Sequence, residues 1–147
     1  AAQHMADTVV LCDTIGTAHP SSIYRTLELS RHIDSDIALH LHHMKNKKDN
    51  MFPNIQSALD WGITQFDASI GGLGGCPMVE GSGSNLSTET LVRHLNAWGF
   101  ESGIDEDKLS NALKIVQKIK HANPTPSASN LPKQFQVKYP MTSQVIL

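Results

Sequence analysis

The chain has 147 residues, of which 39% are hydrophobic and 18% are charged, a composition typical of one globular domain. Its 12 Lys and Arg residues stand against 14 Asp and Glu residues, and this formal net charge of -2 argues against nucleic acid or an anionic membrane as a partner. Two cysteines are too few for a disulfide framework, so we expect a cytoplasmic protein, or a mitochondrial one if a leading segment has been lost.

Short apolar runs alternate with helical patterns in the first half of the chain. The runs 8–12, 37–41 and 65–70 are predicted strands, and the apolar stripes of 21–33 and 53–61 predict helices. A parallel return between strands needs a crossover long enough for a helix. This alternation of strands and helices therefore predicts an α/β fold with a parallel sheet.

The second half begins rich in glycine and ends rich in proline. Glycines are frequent over 71–83, Ser87 is the predicted N-cap of the next helix, and a further helix is predicted over 105–121. Four of the seven prolines then follow in the last part of the chain. We therefore divide the chain into a domain over 1–121 and an extended proline-rich tail over 122–147.

Two histidines of the second predicted strand are expected to face the same way. Successive strand side chains point to opposite faces, so His40 and His42 share one face while Leu39 and Leu41 share the other. A His-x-His pair at the carboxyl end of a parallel strand is a good half-site for one metal ion. The alternative is a pair of hydrogen-bonded histidines without a metal.

Further polar residues are expected at the same edge of the sheet. Asp13 ends the first predicted strand and Asp67 lies in the third, and we place both on the inward face with the histidines. An isolated aspartate at a strand end is also a common turn residue. The stretch Gly71–Pro77 carries Cys76, and it would either present a thiol to a ligand or act as a plain connector.

Four segments together resemble the 3-hydroxy-3-methylglutaryl-CoA lyase family over residues 8–115. They are Asp13-Thr14-Ile15-Gly16, the His-x-His pair, the Gly-Gly-Cys-Pro loop and Asn85-Leu86-Ser87-Thr88-Glu89, in the family's order and near its spacing. The Gly-Gly-Cys-Pro loop followed by Asn-Leu-x-Thr-Glu is the specific part. Asp-Thr-Ile-Gly is shared with related metal-dependent lyases and synthases.

This resemblance implies the C-terminal portion of a (β/α)8 TIM barrel, with strands six to eight and their flanking helices. Strands one to five would be missing, and with them the family's remaining metal-binding aspartate. We therefore expect the missing N-terminal half of the barrel as a partner, and association into a homo-oligomer.

The resemblance also implies a role for each matched residue. The implied ligands of Mg2+ or Mn2+ are His40, His42 and Asn85. The implied catalytic residues are Asp13, His40, Cys76 and Glu89. Asn54 matches a further asparagine of the active site, which we take as a cofactor-binding position. The family continues the His-x-His pair with Asp, whereas this chain has His43, so the local acid that would support the histidines is absent.

The implied reaction is the cleavage of 3-hydroxy-3-methylglutaryl-CoA, an acyl-CoA substrate, into acetyl-CoA and acetoacetate. One alternative is a related lyase or aldolase acting on another acyl-CoA or on a 2-oxo acid. A second alternative is an inactive metal-binding fragment. Because residues of the missing strands would take part in the chemistry, we expect this chain alone to be inactive.

Overall fold

A computed structural model describes residues 6–44, 51–76 and 82–122 of the chain. Strands and helices alternate within these ranges. They are β1 (Thr8–Asp13), α1 (Pro20–Leu29), β2 (Asp36–Met44), α2 (Met51–Trp61), β3 (Gln65–Asp67), β4 (Ser82–Asn85), α3 (Thr88–Ala97) and α4 (Glu106–Ala122). Each predicted helix is present, with ends that differ by a few residues, and Ser87 is the N-cap residue of α3.

The first three strands form a parallel sheet with β2 in the middle. β1 pairs with β2 up to Asp13 opposite Leu41, and β3 pairs with β2 up to Asp67 opposite His40. The predicted α/β fold and parallel sheet are therefore confirmed for this part of the chain.

The third strand is shorter than predicted. It ends at Asp67, and residues Ile70–Gly72 form a 3-10 helix instead of continuing the strand. Gly71 has a φ angle of 67°, in the left-handed region that is open to glycine and strained for other residues. The backbone therefore turns away from the sheet just beyond Asp67.

Strand β4 was not predicted, because Ser-Gly-Ser-Asn has little intrinsic preference for a strand. It runs antiparallel to the end of β2, with His42 opposite Asn85 and Met44 opposite Ser82. β2 extends past the ends of both parallel neighbours, which leaves its last backbone groups available for pairing. A side chain at Gly83 would overlap the carbonyl group of His43, so this close approach requires glycine.

The apolar core lies on the side of the sheet where the helices pack. Leu39 and Leu41, on the face opposite the histidines, are each 2% exposed and join a cluster with residues of α1 and α2. The largest fully buried side chains are Leu27, Leu41, Ile55, Leu86 and Val92. Burial on one face of β2 thus holds the histidine-bearing face in place.

The last helix extends one residue past the predicted domain boundary, to Ala122. Its first turn is capped by Asp105, whose carboxylate accepts a hydrogen bond from the backbone N–H of Lys108 at 3.0 Å. The rest of the predicted tail lies outside the described residues. Among the helices described, none has the length and apolar character needed to cross a membrane.

We expect Ile55→Ala to lower the free energy of unfolding by about 2–5 kcal/mol, because it opens a cavity in the core. The same change at Ile115, whose side chain is 60% exposed, is expected to cost less than about 0.5 kcal/mol. Urea unfolding of both variants, followed by tryptophan fluorescence, measures the difference. Equal losses would contradict the assignment of the core.

Candidate functional site

His40 and His42 face each other at the end of β2. Their Nε2 atoms are 2.9 Å apart, and their ring centroids are separated by 4.9 Å. The prediction that both imidazoles share one face of the strand is therefore confirmed.

The environment of His42 favours its neutral form. The residue is 7% exposed, and burial, followed by the neighbouring His40, lowers the pKa of the ring below its ordinary value. The backbone of Thr14 and the carboxylate of Asp13 oppose this shift. A neutral imidazole keeps one nitrogen lone pair with which to bind a cation.

The spacing of the two Nε2 atoms fits a shared cation. Two ligands about 2.1 Å from an octahedral ion and at right angles to each other lie about 3.0 Å apart. The observed 2.9 Å matches this value. A shared proton would also place two nitrogens at this distance, so the fit depends on a further donor nearby.

Asn85 is the candidate for that further donor. It lies directly opposite His42 in the pairing of β4 with β2, and its Nδ2 donates a hydrogen bond to the carbonyl oxygen of Leu73 at 2.8 Å. Its Oδ1 is buried and has no hydrogen-bond partner within the described part of the chain. An unpaired amide oxygen is costly in a protein interior, and it is a type of ligand that Mg2+ and Mn2+ accept.

These donors are all neutral. Within residues 6–44, 51–76 and 82–122, no group of three or more His, Cys, Asp or Glu side chains is arranged to hold a metal ion. As ligands, two imidazoles and one amide would make only a partial site, because hard divalent cations prefer anionic oxygen ligands.

A carboxylate does lie beside the pair, in contact with a histidine. Oδ2 of Asp67 is 3.3 Å from Nδ1 of His40, and the two residues are opposite each other in the pairing of β3 with β2. The sequence placed Asp67 on the inward face but gave it no role. Only the register between the two strands, which local patterns do not encode, would have revealed this contact.

Asp13 contacts backbone amides of the loop that follows β1. Its two carboxylate oxygens accept hydrogen bonds from the N–H groups of Thr17 at 3.0 Å and Ala18 at 2.9 Å. In the strand register Asp13 is paired with Leu41 and not with a histidine, which differs from the expected placement on the inward face. Its carboxylate is still close enough to His42 to act on the pKa of that ring. Alternation along β1 gives the histidine face to its neighbour Cys12, which is opposite His40.

Asn54 supports the same loop from α2. The residue is 3% exposed, and its Nδ2 donates a hydrogen bond to the carbonyl oxygen of Ala18 at 3.0 Å. The peptide groups around Ala18 are thus held by Asp13 and by Asn54. The structure places this predicted cofactor-binding residue against the loop, and its cofactor contact stays a prediction.

Glu89 and Asn85 anchor the start of the glycine-rich loop. Oε2 of Glu89 accepts a hydrogen bond from the N–H of Gly71 at 3.0 Å, while Asn85 binds the carbonyl of Leu73. At Gly74, with a φ angle of 95°, a Cβ atom would lie 2.7 Å from Nδ2 of Asn85. The loop therefore passes directly over a candidate ligand just before Cys76, which is partly buried.

Comparison with known proteins points to one family. The family described as HMGL-like matches residues 1–116 of the chain. The chain is 40% identical over 119 residues to the hydroxymethylglutaryl-CoA lyase YngG of Bacillus subtilis, covering 80% of this chain and 38% of that protein. It is also 37% identical over 111 residues to the (R)-citramalyl-CoA lyase of Chloroflexus aurantiacus, covering 71% of this chain and 34% of that protein.

A solved structure gives the same result for the fold. The HMG-CoA lyase from Brucella melitensis matches with a TM-score of 0.69 and 35% identity, over 79% of this chain and 41% of that chain. The chain thus spans about two fifths or less of the length of these proteins. Other similar proteins include a cytoplasmic lyase of Danio rerio and a mitochondrial lyase of Arabidopsis thaliana, so both compartments occur among them.

We expect Glu89→Ala to speed hydrogen exchange at the Gly71 amide by about 10- to 100-fold. A hydrogen bond to a charged group contributes about 1.5–3 kcal/mol, and about 1.4 kcal/mol corresponds to a factor of ten. Exchange of the 15N-labelled chain, followed by NMR, measures the rate.

Two controls separate this contact from general effects of charge. Glu89→Gln keeps an acceptor oxygen and should retain most of the protection at Gly71. Glu28→Ala, on α1, breaks an exposed ion pair with Arg31 just after that helix and should leave Gly71 unchanged. Unchanged exchange in Glu89→Ala would show that Glu89 does not anchor the loop.

Proposed function

The chain belongs to the HMGL-like family, and from this we propose that it is part of a divalent-metal-dependent carbon–carbon lyase. The facing Nε2 atoms of His40 and His42, at 2.9 Å with Asn85 opposite, are the observation that carries this proposal. We further propose that the chain forms strands six to eight of a (β/α)8 TIM barrel, and that a carboxylate from the remainder of the barrel completes the site.

Three residues would hold the cation, and the chemistry supplied by bound Mg2+ or Mn2+ is Lewis-acid stabilisation of charge on the substrate's oxygen atoms. His40 and His42 contribute nitrogen ligands and Asn85 contributes its unpaired Oδ1. The 3-10 turn and the glycine loop lie against Asn85, and in the proposed enzyme they would limit the access of water to this edge of the sheet.

The proposed substrate is 3-hydroxy-3-methylglutaryl-CoA, and its cleavage needs a base and an acid. Asp13 is the proposed base, since each carboxylate oxygen accepts one backbone N–H and keeps a second lone pair. As it takes the hydroxyl proton, the hydroxyl carbon becomes the ketone of acetoacetate and the carbon–carbon bond breaks. The bonding electrons pass to the enolate of acetyl-CoA.

Cys76 is the proposed acid. Its thiol would protonate the enolate and so release acetyl-CoA. The loop that carries Cys76 is anchored at Gly71 by Glu89 and at Leu73 by Asn85. His40 is kept as a ligand in this scheme, because both of its ring nitrogens are already in polar contacts.

A second candidate substrate is another acyl-CoA, and the similarity to an (R)-citramalyl-CoA lyase supports it. The two candidates differ in the product that leaves with acetyl-CoA. Cleavage of the glutaryl thioester gives a 3-oxo acid, whereas cleavage of a citramalyl thioester gives a 2-oxo acid.

We expect the chain to bind Mn2+ weakly and Asn85→Ala to weaken this binding at least about tenfold, because one of three neutral ligands is lost. Asn96→Ala is the matched control, since Asn96 bonds to Glu106 at the surface. Electron paramagnetic resonance of free Mn2+ gives both affinities. Equal affinities of the two variants would exclude Asn85 as a ligand.

For the complete enzyme that contains this segment, we expect acetoacetate and acetyl-CoA from 3-hydroxy-3-methylglutaryl-CoA. Cys76→Ser should lower kcat by about 10²–10⁴-fold, because a hydroxyl is a far weaker acid than a thiol. Product analysis by mass spectrometry with both candidate thioesters measures substrate and rate.

Asn96→Ala is the control away from the site, since Asn96 bonds to Glu106 at the surface, and its kcat should stay within a few-fold of the wild type. The 147-residue chain alone should form no acetoacetate, and adding the remainder of the barrel should restore the reaction. Normal turnover by Cys76→Ser would require another acid. A 2-oxo acid as the product would favour the second substrate.

A further inference from the structure

Asp67 and His40 meet at the last position where β2 and β3 pair. The Asp67 Oδ2 to His40 Nδ1 distance of 3.3 Å is the contact between these two side chains. It lies on the side of the ring away from His42, because the other nitrogen of His40 is the one that faces His42.

This contact selects one tautomer of His40. A neutral imidazole carries one proton on either nitrogen. An Nδ1 without a proton would direct its lone pair at a carboxylate oxygen, which is repulsive, whereas an Nδ1–H donates to that oxygen. The proton therefore resides on Nδ1, and the lone pair is left on Nε2.

The contact is too exposed to act mainly through the attraction of charges. It is also not needed to hold β2 and β3 together. The side chain of Asp67 is 55% exposed and that of His40 is 30% exposed, so solvent screens their attraction. The backbones of β2 and β3 are already paired at three positions, which does not depend on the Asp67 side chain. Its effect should therefore fall on the proton position and orientation of the His40 ring.

We propose that Asp67 is a positioning residue, whose carboxylate holds His40 with Nδ1 protonated and the Nε2 lone pair directed at the cation shared with His42. The inference rests on the proposed function, because that function supplies the cation. A carboxylate behind a ligating histidine commonly strengthens metal binding by about 10- to 100-fold.

The tautomer is tested without any metal. In the 15N-histidine-labelled chain at about pH 8, where unperturbed rings are neutral, two-bond 1H–15N spectra distinguish a protonated Nδ1 from a protonated Nε2. We expect Nδ1–H at His40 in the wild type and a shift towards Nε2–H in Asp67→Ala. Asp36→Ala is the matched control, since it removes the same group from the opposite end of β2.

The affinity for Mn2+, measured by electron paramagnetic resonance, supplies the second readout. We expect a loss of about 10- to 100-fold in Asp67→Ala, a smaller loss in Asp67→Asn, which keeps an acceptor oxygen, and no change in Asp36→Ala. An unprotonated Nδ1 at His40 in the wild type, or equal spectra for Asp67→Ala and the wild type, would overturn the inference. Failure of the wild type to bind Mn2+ would instead contradict the proposed function, with the tautomer already decided by the metal-free spectra.

Discussion

The register of β2 against its three neighbours decides where every donor of the candidate site lies. β2 is nine residues long and continues past the ends of β1 and β3. Its pairing with β3 ends at His40, which brings in Asp67, and its pairing with β4 passes through His42, which brings in Asn85. A shift of one residue in either pairing would move these partners to the other face of the sheet.

The proposed ligands of the cation are neutral, and the charged residues near them make other contacts. The residues proposed to touch the cation are two imidazoles and an amide, and burial keeps His42 neutral by lowering its pKa. The two nearby aspartates serve other contacts, Asp67 beside Nδ1 of His40 and Asp13 on the backbone amides of the next loop. In the proposed enzyme, the negative charge that a hard cation favours would therefore come from a ligand outside these residues.

The loops around the site depend on close backbone approach. Gly16 packs against the backbone of His42 and His43, and a Cβ atom there would lie 2.6 Å from the carbonyl oxygen of His42. Gly74 leaves similar room for the amide of Asn85. Glycines in the loop after Asp13 and in the loop before Cys76 thus allow both loops to lie against β2 and β4. In this way the proposed base and acid are connected to the strands that carry the proposed cation ligands.

The sequence by itself determined the alternation of strands and helices, and it placed His40 and His42 on one face. Both follow from local periodicity, since a strand repeats every two residues and a helix about every 3.6. Recurrent motifs also identified the family. Only the tertiary structure decided that β3 is short, that Ser82–Asn85 forms a strand, that Asp13 pairs with Leu41, and that Asp67 meets His40. These features depend on the register between segments distant in the chain, and pairing energy sets that register more strongly than local preference does.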